Sequence, residues 1–309
     1  MENGTAVLFR QLPYNSPRTM ADWTALLIDA AIPATIAGGV AVAATVLVER
    51  LGGRIGGLLS SVPTTIVPAA AALHTRCESP EDFATAMALV PVGTALNAGY
   101  LGLWLLLPPI ICAHRIGARA PLALTLVTTL GLWLIASALL MLLGAVLDPS
   151  PGQWQLAAIA ATLVCATLGI IANWSPAEAP RGTRTVPPRI LVARGIAAAG
   201  AIGAAVVLAR LDVPIASGLV SVFPVIFTTV MVGTWLAQGP SVPRGAAAPM
   251  MLGSTSVAVF AYLAAALLPR LDMASSVALA WLGSVIIVHG PAALLLQWRV
   301  RMNATRANQ

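Results

Sequence analysis

The chain is poor in charge. Only 9% of its 309 residues are Asp, Glu, Lys or Arg, whereas 58% are hydrophobic and the mean hydropathy is +0.88. Soluble domains carry about 25% charged residues, so this composition excludes an ordinary soluble protein and indicates an integral membrane protein. Lysine is absent, because all 17 basic residues are Arg. A phosphate-binding loop of the Gly-Lys type is therefore excluded.

Cysteine and histidine are scarce, with three residues of each. Cys77, Cys112 and Cys165 are too scattered for a disulfide framework, and we interpret them as structural. The histidines occur singly, and the chain has no H-E-x-x-H, no G-x-S-x-G and no paired intramembrane Asp. We therefore expect neither an enzyme nor a protein with a cofactor or metal, and the placing of Arg between apolar runs argues against nucleic acid as a partner.

Nine apolar segments are long enough to cross a bilayer, for which a helix needs about 20 residues. They run at about residues 25–48, 55–74, 84–112, 121–147, 154–174, 189–209, 214–237, 246–269 and 274–298. Residues 1–24 lack the apolar core of a signal peptide and are predicted to be a retained tail. The fold class that follows is an all-α polytopic membrane protein.

Arginine is distributed unequally between the two sides that nine spans define. One side holds 12 Arg and the other holds 5. Cytoplasmic loops carry the excess of positive charge, so the sequence predicts an N-terminus outside and a C-terminus in the cytoplasm.

Two segments share a pattern at an offset of 161 residues. Gly57 to Val67 reads GLLSSVPTTIV, and Gly218 to Thr228 reads GLVSVFPVIFT. Each places a Pro inside an apolar span, where it removes one backbone hydrogen bond and frees groups that lipid cannot satisfy. Matched, interrupted helices are the best sequence pointer to the binding site of a transporter built from repeats.

The offset divides the chain into two units. Residues 25–147 form a first four-helix repeat, residues 148–188 a connector helix and a Pro/Arg-rich loop, residues 189–298 a second four-helix repeat, and residues 299–309 a C-terminal tail. Four spans plus one connector turn the second unit upside down relative to the first. The prediction is an inverted repeat whose second and seventh helices are broken at Pro63 and Pro224.

The second unit resembles a family of small membrane proteins. IASGLVSVFPVIF, Ile215 to Phe227, followed by Gly283 to Val285 in the last span, is similar to the GlpM-like proteins, which have four spans. The first unit keeps Gly57 and Pro63 of this pattern more faintly. The resemblance implies that a single-repeat ancestor was duplicated and fused through a connector helix, and it lends a fold but no substrate.

Polar side chains near the two breaks are the candidate binding residues. The substrate-binding set is Ser60, Ser61, Pro63, Thr64, Thr65, Asn97, Ser217, Ser221, Pro224, Thr228 and Thr229. Half-helices that start after a break favour anions, whereas the freed carbonyls can hold a cation. The alternative is that the hydroxyls bond back to their own helix and each Pro merely kinks it.

Ionisable residues inside the spans are few. Asp29 and His289 are candidates for coupling or gating, since intramembrane ionisable residues are functional candidates by default. The alternatives are that Asp29 faces the interface and that His289 is a neutral, hydrogen-bonded residue. Asn97 equally fits a bond across helices.

The function that these patterns favour is transport of a small polar or anionic solute by alternating access in a bacterial inner membrane. One alternative is an anionic lipid carrier or flippase, or a helper of envelope polysaccharide assembly, with Arg115/Arg119 and Arg181/Arg184/Arg189 meeting lipid phosphates. Another is a membrane scaffold that transports nothing.

Overall fold

The described part of the chain is built from helices and loops alone. A computed structural model describes residues 20–64, 66–74, 77, 79–113, 120–174, 188–209 and 223–307, and these contain no strand. The helices are α1 (Met20–Ser60), α2 (Ile66–His74), α3 (Pro80–Cys112), α4 (Ala120–Leu147), α5 (Pro151–Trp174), α6 (Pro188–Ala209), α7 (Val225–Gln238), α8 (Ser241–Leu267) and α9 (Met273–Ala307).

Six stretches of helix among the described residues are long and apolar enough to cross a membrane. They are Ala34–Ser60, Pro80–Cys112, Ala120–Leu147, Pro151–Trp174, Ser241–Leu267 and Met273–Asn303. The prediction of nine spans is therefore met only in its coarser form, an all-helical membrane architecture. The span with the first Pro motif falls short because it is interrupted, and α2 has 9 residues. Of the span with the second Pro motif, the described helix α7 has 14 residues.

The first long helix reverses direction at Gly52. The φ of Gly52 is 83°, in the region that favours glycine. Beyond it the backbone of Gly56 lies against the backbone of Leu47 and Val48, which a straight helix would hold roughly 12 Å away. The reversal lies between the predicted end of the first span at residue 48 and the predicted start of the second span at residue 55.

The third span begins earlier than predicted because its first turn is polar. Ser79 caps α3: its Oγ accepts a hydrogen bond from the backbone N–H of Asp82 at 3.0 Å and donates to Asp82 Oδ2 at 2.9 Å. Pro80 takes the first helical position, which proline tolerates because no intrahelical bond is lost there. At the other end of the chain α9 runs on to Ala307, past the predicted end of the last span at residue 298.

The helix at the centre of the described fold is α8. Most of its residues are buried, and it packs against α1, α3, α5, α7 and α9. Its neighbours approach closely through glycine: a Cβ on Gly53 of α1 would lie 2.6 Å from the carbonyl carbon of Gly245, and a Cβ on Gly169 of α5 would lie 2.6 Å from Cα of Leu252. Small residues at helix contacts are the common packing device inside membranes.

The exposed face of α4 is suited to lipid rather than to water. Thr125, Thr129, Trp133 and Ser137 are the buried residues of this helix, four positions apart on one face. Its exposed face carries large apolar side chains: Leu124, Val127, Leu132, Leu134, Ile135, Leu139, Leu142 and Leu143. A helix with polar groups inside and leucines outside suits hydrocarbon surroundings, because lipid exerts no hydrophobic drive to bury leucine.

Candidate functional site

The first Pro motif lies at a genuine helix break. Helix α1 ends at Ser60 and α2 begins at Ile66. Pro63 has no N–H for the carbonyl of Leu59, which instead accepts from Val62 N at 3.4 Å. Val62 N would otherwise donate to the Leu58 carbonyl in a continuous helix. The break therefore leaves the Leu58 carbonyl without its helical donor.

The Leu58 carbonyl is satisfied by three other donors. The backbone N–H of Ser61 donates at 3.3 Å, the hydroxyl of Ser61 at 2.7 Å and Nε2 of His289 lies 3.1 Å away. A carbonyl oxygen only accepts, so this bond puts the proton of a neutral imidazole on Nε2. His289 thus reaches the break from α9, 231 residues along the chain.

The break is pressed directly against α8. A Cβ on Gly253 would overlap Ser61 Oγ and lie 3.0 Å from a methyl of Leu58, so a larger residue there would displace the Ser61 hydroxyl from its bond to the Leu58 carbonyl. The hydroxyl of Ser256 donates to the Gly253 carbonyl at 2.7 Å, and the Ser61 carbonyl shares the same proton at the longer distance of 3.4 Å. Ser61 and Ser256 are 3% and 0% exposed, so this surface of the break is sealed by α8.

The described part of the second motif starts at Phe223, and α7 begins directly after Pro224. The Pro224 carbonyl accepts from the backbone N–H and the hydroxyl of Thr228, both at 2.8 Å. Tyr100 of α3 brings its hydroxyl within 2.8 Å of Thr228 Oγ1. The second motif is therefore held by α3, whereas the first is held by α8 and α9.

Asn97 joins α3 to α4 beside the second motif. Its Oδ1 accepts a hydrogen bond of 2.9 Å from the indole N–H of Trp133. The ring of Trp133 meets Phe223 edge to face, with the centroids 5.4 Å apart. This is the bond across helices that the sequence left open as the alternative for Asn97, and the Trp133 ring links it to Phe223, the residue before Pro224.

The predicted binding residues fall into two groups. One group lies at the first break with His289: Ser60, Ser61, Pro63 and Thr64. The other lies at or near the described part of the second motif: Asn97, Pro224, Thr228 and Thr229. Among the described residues no hydrogen bond joins the two groups. Thr65, Ser217 and Ser221 lie outside the described residues, as does the side chain of Asp29, whose backbone is in α1.

The hydroxyls of the candidate residues bond back to their own segments. Ser60 donates to the Gly57 carbonyl at 2.8 Å, Thr229 to Ile226 at 3.0 Å and Thr64 to Val62 at 3.5 Å. Ser61 and Thr228 do the same. This agrees with the alternative in which the hydroxyls serve the backbone, although at Pro63 the helix ends rather than kinks.

Three contact residues were missing from the predicted set. Ser256 and Trp133 lie on the partner helices, and a sequence offers no local signal for contacts of this range. Tyr100 could have been found, because it is three positions from Asn97 and shares its helix face.

Away from the breaks, a cavity of about 210 Å³ lies at the ends of α2, α3 and α8. It is lined by His74, Cys77, Ser79, Pro80, Leu268 and Pro269, none of them a predicted site residue. Burial and the nearby Asp82 raise the pKa of the Cys77 thiol, which keeps it protonated and weakly nucleophilic. All three cysteines are free, and the described residues hold no cluster of His, Cys, Asp and Glu that fits a metal.

The long apolar helices and the polar-in, apolar-out packing define the class as a helical membrane protein. Comparison of the chain with protein-family models, with curated proteins and with solved structures finds no match.

Proposed function

We propose that the protein is a membrane transporter that moves a small polar solute by alternating access around two Pro-broken helices. The proposal includes nine spans arranged as two inverted four-helix repeats, derived from a duplicated GlpM-like unit, in a bacterial inner membrane with the C-terminus in the cytoplasm. Its main support is the crossing of α1 and α6.

That crossing obeys the offset of the sequence motifs. A Cβ on Gly203 would lie 3.6 Å from Cβ of Ala34, one on Gly38 would lie 3.2 Å from Cβ of Ala199, and one on Gly195 would lie 3.0 Å from a methyl of Val42. Adding 161 to positions 34, 38 and 42 gives 195, 199 and 203.

The three contacts therefore have a consistent geometry. When each residue is exchanged for its counterpart 161 positions away, the contact 34–203 becomes the contact 42–195. The contact 38–199 is unchanged by the same exchange. The helices run antiparallel, as a two-fold axis in the membrane plane requires of an inverted repeat. The crossing is made by small residues, which let two units pivot about a close backbone contact without unlocking large side chains.

The middle helices of the two units cross in the same sense. Met251 of α8 packs against Gly102 of α3, and Arg244 Nε donates to the Leu105 carbonyl at 3.1 Å. As the number rises along α3 it falls along α8, so these helices are also antiparallel. Helix α4 packs on α3 as α9 packs on α8, which is the pairing that the repeat expects.

The broken helix supports a site rather than a simple bend. Its carbonyls take donors from α9, and α8 seals it through Gly253. An interface of this kind separates when one repeat rocks against the other, exposing the Leu58 and Ser61 carbonyls and the hydroxyls to water and solute. The packed arrangement corresponds to a closed state.

A non-transporting scaffold is the second candidate, because every described hydroxyl of the predicted set already bonds to its own backbone. The first experiment is a thermal-shift panel on purified protein with small carboxylates, phosphates, sugars, cations and polyprenyl phosphates. A ligand at about 100 times its Kd adds about 2.7 kcal/mol to the folded state. A shift with one small solute class supports transport, shifts with polyprenyl phosphates alone favour a lipid carrier, and silence favours the scaffold.

Proline variants then test the mechanism in proteoliposomes with the solute found. Pro63→Ala restores a helical N–H at the break and is expected to abolish uptake while the protein still expresses. Pro91→Ala is the matched control, because α3 continues as a helix through Pro91, and it should retain uptake. Equal uptake by the Pro63→Ala variant and the wild type would exclude the broken-helix mechanism.

A further inference from the structure

Arg299 is a buried charge near the C-terminal end of α9. Only 6% of its surface is exposed. Its guanidinium donates to the carbonyl of Trp174, the last residue of α5, and stands 4.2 Å from the ring centroid of Trp174 and 5.5 Å from that of Trp298. A helix C-terminus and two aromatic faces attract a cation, which explains why the side chain lies there.

These contacts leave the charge without an anion. Among the described residues no carboxylate pairs with Arg299, and its Nε is buried with no hydrogen-bond partner. A buried guanidinium that lacks a counterion and leaves one N–H unbonded is costly. The carbonyl of Trp174 carries only part of a negative charge, so the site calls for a full anion.

The surroundings indicate where that anion comes from. Trp174 and Trp298 are 50% and 47% exposed. The large apolar residues Ile171 and Leu294, three and four positions before them on the same helices, are 63% and 67% exposed. Tryptophan is enriched at the level of lipid headgroups. The charge therefore lies just beneath the lipid-facing surface near the end of a membrane-crossing helix, where phospholipid phosphates are the abundant anions.

We infer that Arg299, framed by Trp174 and Trp298, binds the phosphate of an anionic phospholipid in the leaflet at the C-terminal end of α9. A guanidinium offers several donors in one plane and suits phosphate oxygens. The phosphate supplies the missing charge. The site is separate from the two helix breaks and does not depend on the transport proposal.

The test uses the full-length protein in a neutral detergent, titrated with phosphatidylglycerol or phosphatidylcholine while the unfolding temperature is followed. Phosphatidylglycerol is expected to raise the unfolding temperature of the wild type more than phosphatidylcholine does. Arg299→Gln should weaken the apparent affinity for phosphatidylglycerol about tenfold. Arg301→Gln is the matched control: it removes the same charge from an exposed position two residues further along α9, and it should change the affinity by less than about twofold.

Three outcomes overturn the inference. They are equal stabilisation of the wild type by the two lipids, equal loss in the two Gln variants, and a shift with inorganic phosphate as large as that with phosphatidylglycerol, which would indicate a soluble anion. If Arg299→Gln fails to fold, Trp298→Leu serves instead, since it keeps the charge but removes one ring of the frame and should weaken binding of phosphatidylglycerol.

Discussion

Substituting Gly53 by Ala gives the sharpest test of how the broken helix packs on α8. A Cβ at this position would meet Gly245 C at 2.6 Å and both Gly245 O and Ala246 N at 2.8 Å. All three are backbone atoms, so no side chain can turn away. Restoring an ordinary contact of 3.4 Å would move the helices apart by about 0.8 Å, and gaps of this size forfeit a quarter to a half of the dispersion energy of the atoms involved.

We expect Gly53→Ala to destabilise the protein by about 1–3 kcal/mol, the usual cost of overpacking. Gly99→Ala is the matched control, because Gly99 lies in α3 with nothing within 4 Å of its would-be Cβ. There the substitution gains helix propensity and should stabilise by about 0.5–1 kcal/mol. The two variants should therefore change stability in opposite directions.

The assay is thermal unfolding in detergent, with the two variants compared side by side. At roughly 2–4 °C per kcal/mol for a large domain, their unfolding temperatures should differ by about 3 °C or more. If Gly53→Ala unfolds at the same temperature as Gly99→Ala, the backbones of α1 and α8 are not in contact at Gly53.

Three further predictions concern other parts of the fold. In a chain freed of its native cysteines, Ala34→Cys with Gly203→Cys should form a disulfide on mild oxidation, because the 3.6 Å separation of Cβ atoms is within disulfide range. The pair Gly39→Cys with Gly200→Cys, on the same two helices but with nothing within 4 Å of either would-be Cβ, should form none. A gel run after oxidation distinguishes the two outcomes. A double-mutant cycle of Trp133→Phe and Asn97→Ala should give a coupling of about 0.6–1.7 kcal/mol, and a value of zero would contradict the hydrogen bond. The backbone N–H of Ser275 donates to Asp272 and holds the pKa of that carboxyl below its usual value. The ionised Asp272 therefore contributes stability above pH about 4, and this contribution is lost as the pH falls through the lower folded-state pKa. Asp272→Asn should remove this loss from the pH profile of the unfolding temperature.

Local signals in the sequence were sufficient for the helices. The apolar runs predict helices whose observed ends mostly lie within a few residues of the expected ones, as in α4 (Ala120–Leu147) and α6 (Pro188–Ala209). The interruption at Pro63 was also predictable, because a proline without an N–H acts on its own neighbours. What local signals underestimate is length at polar ends, such as the first turn of α3 at Pro80.

The partners of the site could not be predicted in the same way. Nothing near His289 in the sequence points to Leu58, and nothing near Trp133 points to Asn97. The pattern suggests that the residues of the two motifs form one site. In the structure the first motif bonds to α8 and α9 and the second bonds to α3, and within the part of the chain that the structure describes the two motifs do not bond to each other. Periodicity and motif spacing specify which groups need partners, whereas the crossing of the helices decides which partners they receive.

Prolines in the first half of the chain connect these observations. Pro109 deprives the Leu105 carbonyl of its helical donor, and Arg244 of α8 supplies one from the second half. At Pro63 the rearranged turn leaves the Leu58 carbonyl to His289 of α9, again from the second half. In hydrocarbon no water is present to donate a hydrogen bond to such a carbonyl. Each proline therefore makes a carbonyl of the first half of the chain depend on a donor from the second half. A motion that separates the halves must replace these donors with water or solute at the break, whereas Arg244 can keep its bond only if α3 and α8 move together. We therefore expect that any rocking pivots near the α1–α6 and α3–α8 crossings, where the two halves keep close contacts, and opens at Pro63.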